Sequence, residues 1–261
     1  MTNDVLAKFL AFSAALADNL SARSEVIGLV LVGSTADTKR VDEWSDHDFF
    51  VFTQEGRAEE LRQDLSWLPN HDQIAMRPRE TAHGLKVVYE SGQVLEFAVF
   101  NDSELEIVSV NDYSVAVDKT NITERMQVVA ARQHNKHATL DDEFDLFLAN
   151  ILIGVGRARR GEVLIAGQHI RSYCIDFVLG LLRAWHSPVQ GLEQSGDSLN
   201  RFRRFELQYP EFGRRLELLA EMPVEASAKH LVELVVEAGR DHLTEQQLHS
   251  VFVVRHRFDW I

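Results

Sequence analysis

Apolar positions fall into short runs along the first half of the chain and into helical stripes along the second half. Leu6, Phe9, Leu10, Leu16 and Leu20 recur at helical spacing and predict an amphipathic helix over 4–20. Val26 to Val32 is a continuous apolar run and reads as a buried strand. Thr35 onward reads as a short helix before the polar stretch Lys39 to Ser45. Phe49 to Phe52 is a second buried strand. Arg57 to Leu68 alternates charges with Leu61, Leu65 and Leu68 and predicts a helix ending near Pro69. Leu85 to Tyr89 and Val94 to Phe100 read as strands joined by the hairpin signal Glu90-Ser91-Gly92-Gln93. Ser114 to Val117 predicts one more short strand.

Beyond about residue 120 the period changes to that of helices. Phe144, Phe147, Leu148, Ile151, Leu152 and Val155 make one stripe, which Gly161 interrupts. Val163, Ala166, Ile170, Tyr173, Cys174, Phe177, Leu181 and Trp185 make a second, stopped by Pro188. Leu216, Leu219, Leu231, Leu234 and Val235 predict further helices, and Thr244 is a candidate N-cap for a last one. No internal repeat or low-complexity tract is present. The expected architecture is α+β: residues 1–135 form a sheet with flanking helices and carry the chemistry, and residues 136–261 form a helical domain.

Composition narrows the function. Forty acidic residues face 27 basic ones, a net charge of −13. Nucleic-acid binding depends on neutralising phosphates with Lys and Arg, so no nucleic-acid partner is expected. An acidic surface suits a cationic small molecule, since the sign of the field steers ligands. The single cysteine, Cys174, excludes an internal disulfide and lies in an apolar helical pattern, as a small core residue would. Asp4, Lys8 and Asp18 interrupt the first apolar stretches, and no uninterrupted membrane-length run follows. A cytoplasmic protein with no membrane partner is the expectation. The eleven histidines, His134 and His137 among them, show no metal-binding spacing.

The densest chemistry lies where the first apolar run ends and the second begins. Val32-Gly33-Ser34 closes one strand, and Asp46-His47-Asp48 opens the next. On a strand, residues i and i+2 share a face, so Asp46 and Asp48 aim two carboxylates at one spot beside a tight glycine turn. Hard oxygen ligands placed this way suit Mg²⁺, which binds through one or two carboxylates plus substrate phosphates. The small turn lets backbone N–H groups approach a phosphate. Asp and Ser are also ordinary turn residues. Here, however, Asp48 abuts the buried run Phe49-Phe50-Val51-Phe52, where an uncompensated carboxylate is costly.

This arrangement resembles the nucleotidyltransferase superfamily of DNA polymerase beta, the antibiotic nucleotidyltransferases and the minimal nucleotidyltransferases. Its signature is an apolar residue, Gly, then Gly or Ser, a spacer of about ten residues, and Asp-x-Asp or Asp-x-Glu among apolar residues. The central residue is usually apolar, and here it is His47, which is expected to face away from the metals and alter only packing. The resemblance implies a polymerase-beta-like mixed sheet and a helical domain of the kind found in the antibiotic enzymes. It implies Gly33 and Ser34 on the nucleotide, ATP as co-substrate, and two Mg²⁺ ions held by Asp46, Asp48 and a third carboxylate from a later strand. Glu96 is the only charge in Val94-Leu95-Glu96-Phe97-Ala98-Val99 and is the best match, as metal ligand or base. Glu90 and Asp102 are the flanking alternatives. Arg40, Arg157, Arg159, Arg160, Arg171, Arg201, Arg203 and Arg204 are candidates to meet the triphosphate.

The function so implied is transfer of AMP from ATP to a hydroxyl of a small molecule, an aminoglycoside or lincosamide antibiotic being one such acceptor, with release of pyrophosphate. Two other readings share the motif. One is nucleotidylation of a partner protein, and the other is a nucleotide-binding regulatory module without turnover.

Overall fold

The apolar runs of the first half become strands of one sheet. The computed structural model describes residues 2–132, 139–193, 195–197 and 199–260. These fall into two compact units, Met1–His134 and Asn135–Ile261. The division expected between residues 135 and 136 lies outside the described residues, as do His134 and His137.

The first unit runs α1 (Thr2–Ser21), β1 (Val26–Val32), α2 (Gly33–Ala36), a 3₁₀ turn (Thr38–Arg40), β2 (His47–Thr53), α3 (Ala58–Gln63), β3 (Ile74–Met76), β4 (Gly84–Tyr89), β5 (Val94–Asn101), a 3₁₀ segment (Asp102–Ile107), β6 (Tyr113–Asp118) and α4 (Ile122–Ala131). The six strands lie in the order β3-β4-β5-β2-β1-β6. β2 and β5 pair in parallel and every other pair is antiparallel, so the sheet is mixed, as expected.

Both faces of the sheet are covered, which is why the central strands read as continuous apolar runs rather than alternating ones. Leu29, Phe49, Val51, Leu95, Phe97 and Val99 pack with Phe12, Leu16 and Leu20 of α1 and with Ala58 and Leu61 of α3. Val30, Phe52 and Phe100 turn the other way, onto Ile122, Met126 and Val129 of α4. Phe49 and Phe97 are register partners whose rings stack 4.9 Å apart, with Trp67 edge-on to both. This stack fixes the face on which their neighbours Asp48 and Glu96 fall. A one-residue slip of either strand would drive its carboxylate into the aromatic core.

Two local departures from the sequence pattern have physical causes. The helix expected over 57–68 stops at Gln63, because Asp64 accepts hydrogen bonds from the backbone N–H and hydroxyl of Ser66 (3.0 and 2.9 Å). Such side-chain turns compete with helical bonding. α4 falls where the period turns helical but where no single apolar stripe marks a helix. Its start is organised by Asp118, which accepts from the N–H groups of Ile122 and Thr123, both at 2.9 Å.

The second unit is helical throughout: α5 (Leu140–Arg159), α6 (Val163–Gln168), a π-turn (His169–Tyr173), α7 (Cys174–Trp185), α8 (Phe205–Gln208), α9 (Pro210–Glu217), α10 (Val224–Ala238) and α11 (Glu245–Phe258). Capping boxes at Thr139/Asp142 and Thr244/Gln247 start α5 and α11. The predicted stripes form the core. Phe144, Phe147, Ile151 and Val155 of α5 meet Cys174, Val178 and Leu182 of α7, Leu231 and Val235 of α10, and Val251 and Val254 of α11. Gly154 gives α5 a bare spot against which Ile170 packs; an added Cβ would lie 2.6 Å from it. Cys174 is fully buried, and desolvation pushes its thiol far above the ordinary range, so it is an inert core residue. An ion pair lies beside this core, its Glu143 carboxylate buried and its Arg201 guanidinium partly exposed, with Arg201 Nη2 2.5 Å from Glu143 Oε1. Gly180 leaves the space that the pair fills. Among the described residues no helix is long and apolar enough to cross a membrane.

Candidate metal centre

Three strands deliver the site. β1 ends at Val32, and Gly33 begins the single turn of α2 with φ of 58°, the left-handed region that favours glycine. Val32 is the register partner of Asp48 on β2, and Asp48 is the partner of Glu96 on β5. Asp46 immediately precedes β2. Each of Asp46, Asp48 and Glu96 offers a carboxylate oxygen, and these oxygens lie within 4.8 Å of one another. Three hard oxygen donors at this separation, partly open to solvent, fit a small divalent cation. Gly33 adds a second point of fit, because a Cβ there would sit 3.0 Å from Asp48 Oδ2 and crowd it.

Asp48 is held from its backbone as well. Its N–H donates to Thr35 Oγ1 at 2.8 Å, and Thr35 is itself buried. The turn is tied down on its other side by Gly33 N–H donating to the Asp112 carbonyl at 3.2 Å. Ser34, between these two anchors, is 8% exposed.

His47 takes the opposite face from its two acidic neighbours. It is 2% exposed, and its ring stacks on Phe9 of α1 at 3.7 Å between centroids. Its Nε2 donates to the Phe9 carbonyl (3.2 Å), which leaves Nδ1 to accept from the Gln93 amide (3.3 Å). Both ring nitrogens are therefore satisfied in the neutral form. Desolvation by burial pulls its pKa down from the ordinary 6.5 to about 4, against a raising contribution from the Phe9 carbonyl. Between those values the unfolded chain binds a proton that the folded protein excludes, so stability rises with pH. The contribution is complete above about pH 6.5 and lost as pH falls toward 4, a total of roughly 3 kcal/mol. In urea titrations at pH 7 and pH 5, the wild type should lose more stability than His47→Gln on going to the lower pH. Equal losses in the two proteins would remove His47 as the cause.

The alternatives to Glu96 fall elsewhere. Glu90 is exposed in the β4–β5 turn, and Asp102 pairs with Arg125 beyond the far end of β5. The helical unit's candidate arginines are engaged within that unit. Arg157 and Arg160 pair with Glu162, Arg159 with Glu225, Arg201 with Glu143 and Arg203 with Asp197. Arg171 donates to the Met222 carbonyl and Arg204 to that of Ser195. The side chain of Arg40 lies outside the described residues.

Two residues beside the carboxylates escaped the sequence reading. The sequence pattern marks Thr35 only as the start of a short helix. Lys86 of β4 is the register partner of Glu96, with its ammonium 3.6 Å from that carboxylate. The signal for Lys86 was available, because pairing outward from the hairpin Glu90-Ser91-Gly92-Gln93 puts 88 opposite 94 and 86 opposite 96.

No family model and no curated protein matches this sequence. Among solved structures the chain is similar to an aminoglycoside 6-adenyltransferase from Bacillus subtilis, at 14% identity over 95% of this chain and 97% of that one, with a TM-score of 0.36. It is similar to a nucleotidyltransferase-like protein from Exiguobacterium sibiricum 255-15, at 12% identity over 88% and 77% of the two chains, TM-score 0.36. It is also similar to a chain in the E. coli MS115-1 CdnC:HORMA-deltaN complex, at 12% identity over 97% and 90%, TM-score 0.33. At such distances the chemistry has to be read from this chain's own carboxylates and the strands that carry them.

Proposed function

We propose that this protein is a divalent-metal-dependent nucleotidyltransferase that moves AMP from ATP to a hydroxyl of a small molecule. The observation that carries the proposal is the Asp46, Asp48 and Glu96 trio, gathered from two parallel strands beside the Gly33-Ser34 turn. Mg²⁺ held by these carboxylates would supply positive charge to a transferring phosphoryl group. Gly33 and Ser34 would bind the nucleotide's phosphates, with Thr35 holding the turn against Asp48. In the overall reaction the acceptor oxygen bonds to the α-phosphorus, the bond to the β-phosphate oxygen breaks, pyrophosphate leaves, and the hydroxyl proton is released. Glu96 can take that proton and pass it to water, because half of its side chain is exposed. The acidic balance of the chain supports a cationic acceptor, for which aminoglycosides and lincosamides are the first trials.

The test is incubation with ATP labelled at the α-phosphate, Mg²⁺ and a panel of such acceptors. Label moving to a small molecule supports the reading. Label moving only to protein would make the acceptor a partner polypeptide, and no transfer with any acceptor would leave a binding module. Glu96→Gln should lower kcat by about a hundredfold or more with a smaller change in KM for ATP. Unchanged turnover in that variant would take the proton-accepting role away from Glu96.

A further inference from the structure

The carboxylate trio has a cationic neighbour on the next strand. Residues 48, 96 and 86 are successive register partners across β2, β5 and β4, so Asp48, Glu96 and Lys86 stand in one row. The Lys86 ammonium is 3.6 Å from Glu96 Oε2 and 2.8 Å from Glu80 Oε1. As an ordinary ammonium it is charged at neutral pH. Its shorter contact is with the carboxylate outside the trio. The ammonium therefore keeps a partner when Glu96 turns to something else.

Three carboxylates whose oxygens converge within 4.8 Å repel one another when no cation is present. A divalent ion relieves that repulsion, and a nearby ammonium relieves part of it in advance. The same ammonium opposes the ion's arrival. From these geometries we propose that Lys86 is the resident counter-ion of the metal centre, neutralising Glu96 while no metal is bound and lowering the site's affinity for metal alone, with Glu80 as the carboxylate that retains the ammonium when Glu96 takes a metal. The inference rests on the reading of Asp46, Asp48 and Glu96 as metal ligands. Its consequence is a site that fills poorly with free metal and favours metal arriving with the negatively charged triphosphate.

The magnitude follows from Coulomb's law. One charge a few ångströms from a carboxylate near the surface corresponds to about a three- to tenfold change in cation affinity, and salt diminishes it. The experiment is Mn²⁺ binding to the full-length protein at low ionic strength, read by electron paramagnetic resonance without nucleotide or acceptor. Lys86→Met keeps the hydrocarbon stem and removes the charge, so it should bind Mn²⁺ about three- to tenfold more tightly than wild type. It should also melt at a lower temperature than wild type when metal-free. Both differences should shrink in high salt. Glu80→Gln frees the ammonium for Glu96 and should weaken Mn²⁺ binding, and it should do so less in the Lys86→Met background, where no ammonium is left to release.

Asp48→Asn separates the two levels of the argument. If wild type binds Mn²⁺ and Asp48→Asn does not, while Lys86→Met binds no more tightly than wild type, Lys86 is only a strand ion pair and the inference is overturned. If wild type and Asp48→Asn bind Mn²⁺ equally, the trio is not the metal site, and the inference falls with that reading.

Discussion

Asp48→Asn is expected to lower AMP transfer at least about a thousandfold, equivalent to roughly 4 kcal/mol of transition-state stabilisation. Asp48 is the central member of the trio. It stands between Val32 at the end of β1 and Glu96 on β5, with an oxygen so close to the Gly33 backbone that a Cβ there would crowd it. An amide has nearly the same shape but no charge, so the turn and the sheet should persist. The hydrogen bond from Asp48 N–H to Thr35 is a backbone bond and survives the change. Without metal, the variant should still show a cooperative thermal transition, because the backbone bonds of the turn and the sheet are kept. Steady-state transfer assays and thermal melts in chelator check the two halves of this expectation. A variant retaining near wild-type turnover at saturating Mg²⁺ would falsify the metal assignment.

Glu143→Ala should destabilise the helical unit by about 1–3 kcal/mol, the usual consequence of losing charge-assisted hydrogen bonds. Glu143 is 5% exposed, and both of its carboxylate oxygens accept from Arg201. Arg201 also donates to the Asp176 carbonyl and lies 3.7 Å from Asp176 Oδ2, so it keeps a carboxylate neighbour when Glu143 is removed. The double variant Glu143→Leu, Arg201→Met should recover part of the stability, because it also removes the guanidinium whose main partner has gone. Denaturant midpoints for the single and double variants measure this. Equal destabilisation in both would mean that shape complementarity around Gly180, rather than charge pairing, dominates there.

The sheet was legible in the sequence because its central strands are buried on both faces and therefore read as unbroken apolar runs. Asp46 and Asp48 were legible because alternation along a strand fixes which residues share a face. Glu96 stood out as the single charge in an apolar strand. That β5 lies beside β2, in parallel and with 48 opposite 96, was not legible, since pairing between distant strands leaves no local mark. The stacking of Phe49 on Phe97 that enforces this register is visible only once the strands are adjacent. His47 shows the same limit. Its place on the opposite face follows from alternation, but its contacts with Phe9 and Gln93 join segments far apart in the chain. α3 came out shorter than its leucine pattern because one aspartate turn outweighed the periodicity.

The parallel run of β2 and β5 also orders events in time. Two strands joined by a tight turn can pair as soon as both are made, but β5 reaches β2 only after α3, β3 and β4 have been threaded between them. Closing so long a loop is slow, and the contacts it brings repay the lost chain entropy only at the end. A half-folded chain therefore has Asp46 and Asp48 together on one segment and Glu96 still apart from them. On the proposed reading of the trio as metal ligands, the complete site would exist only in the finished sheet, and an ion bound there would draw the population toward that state.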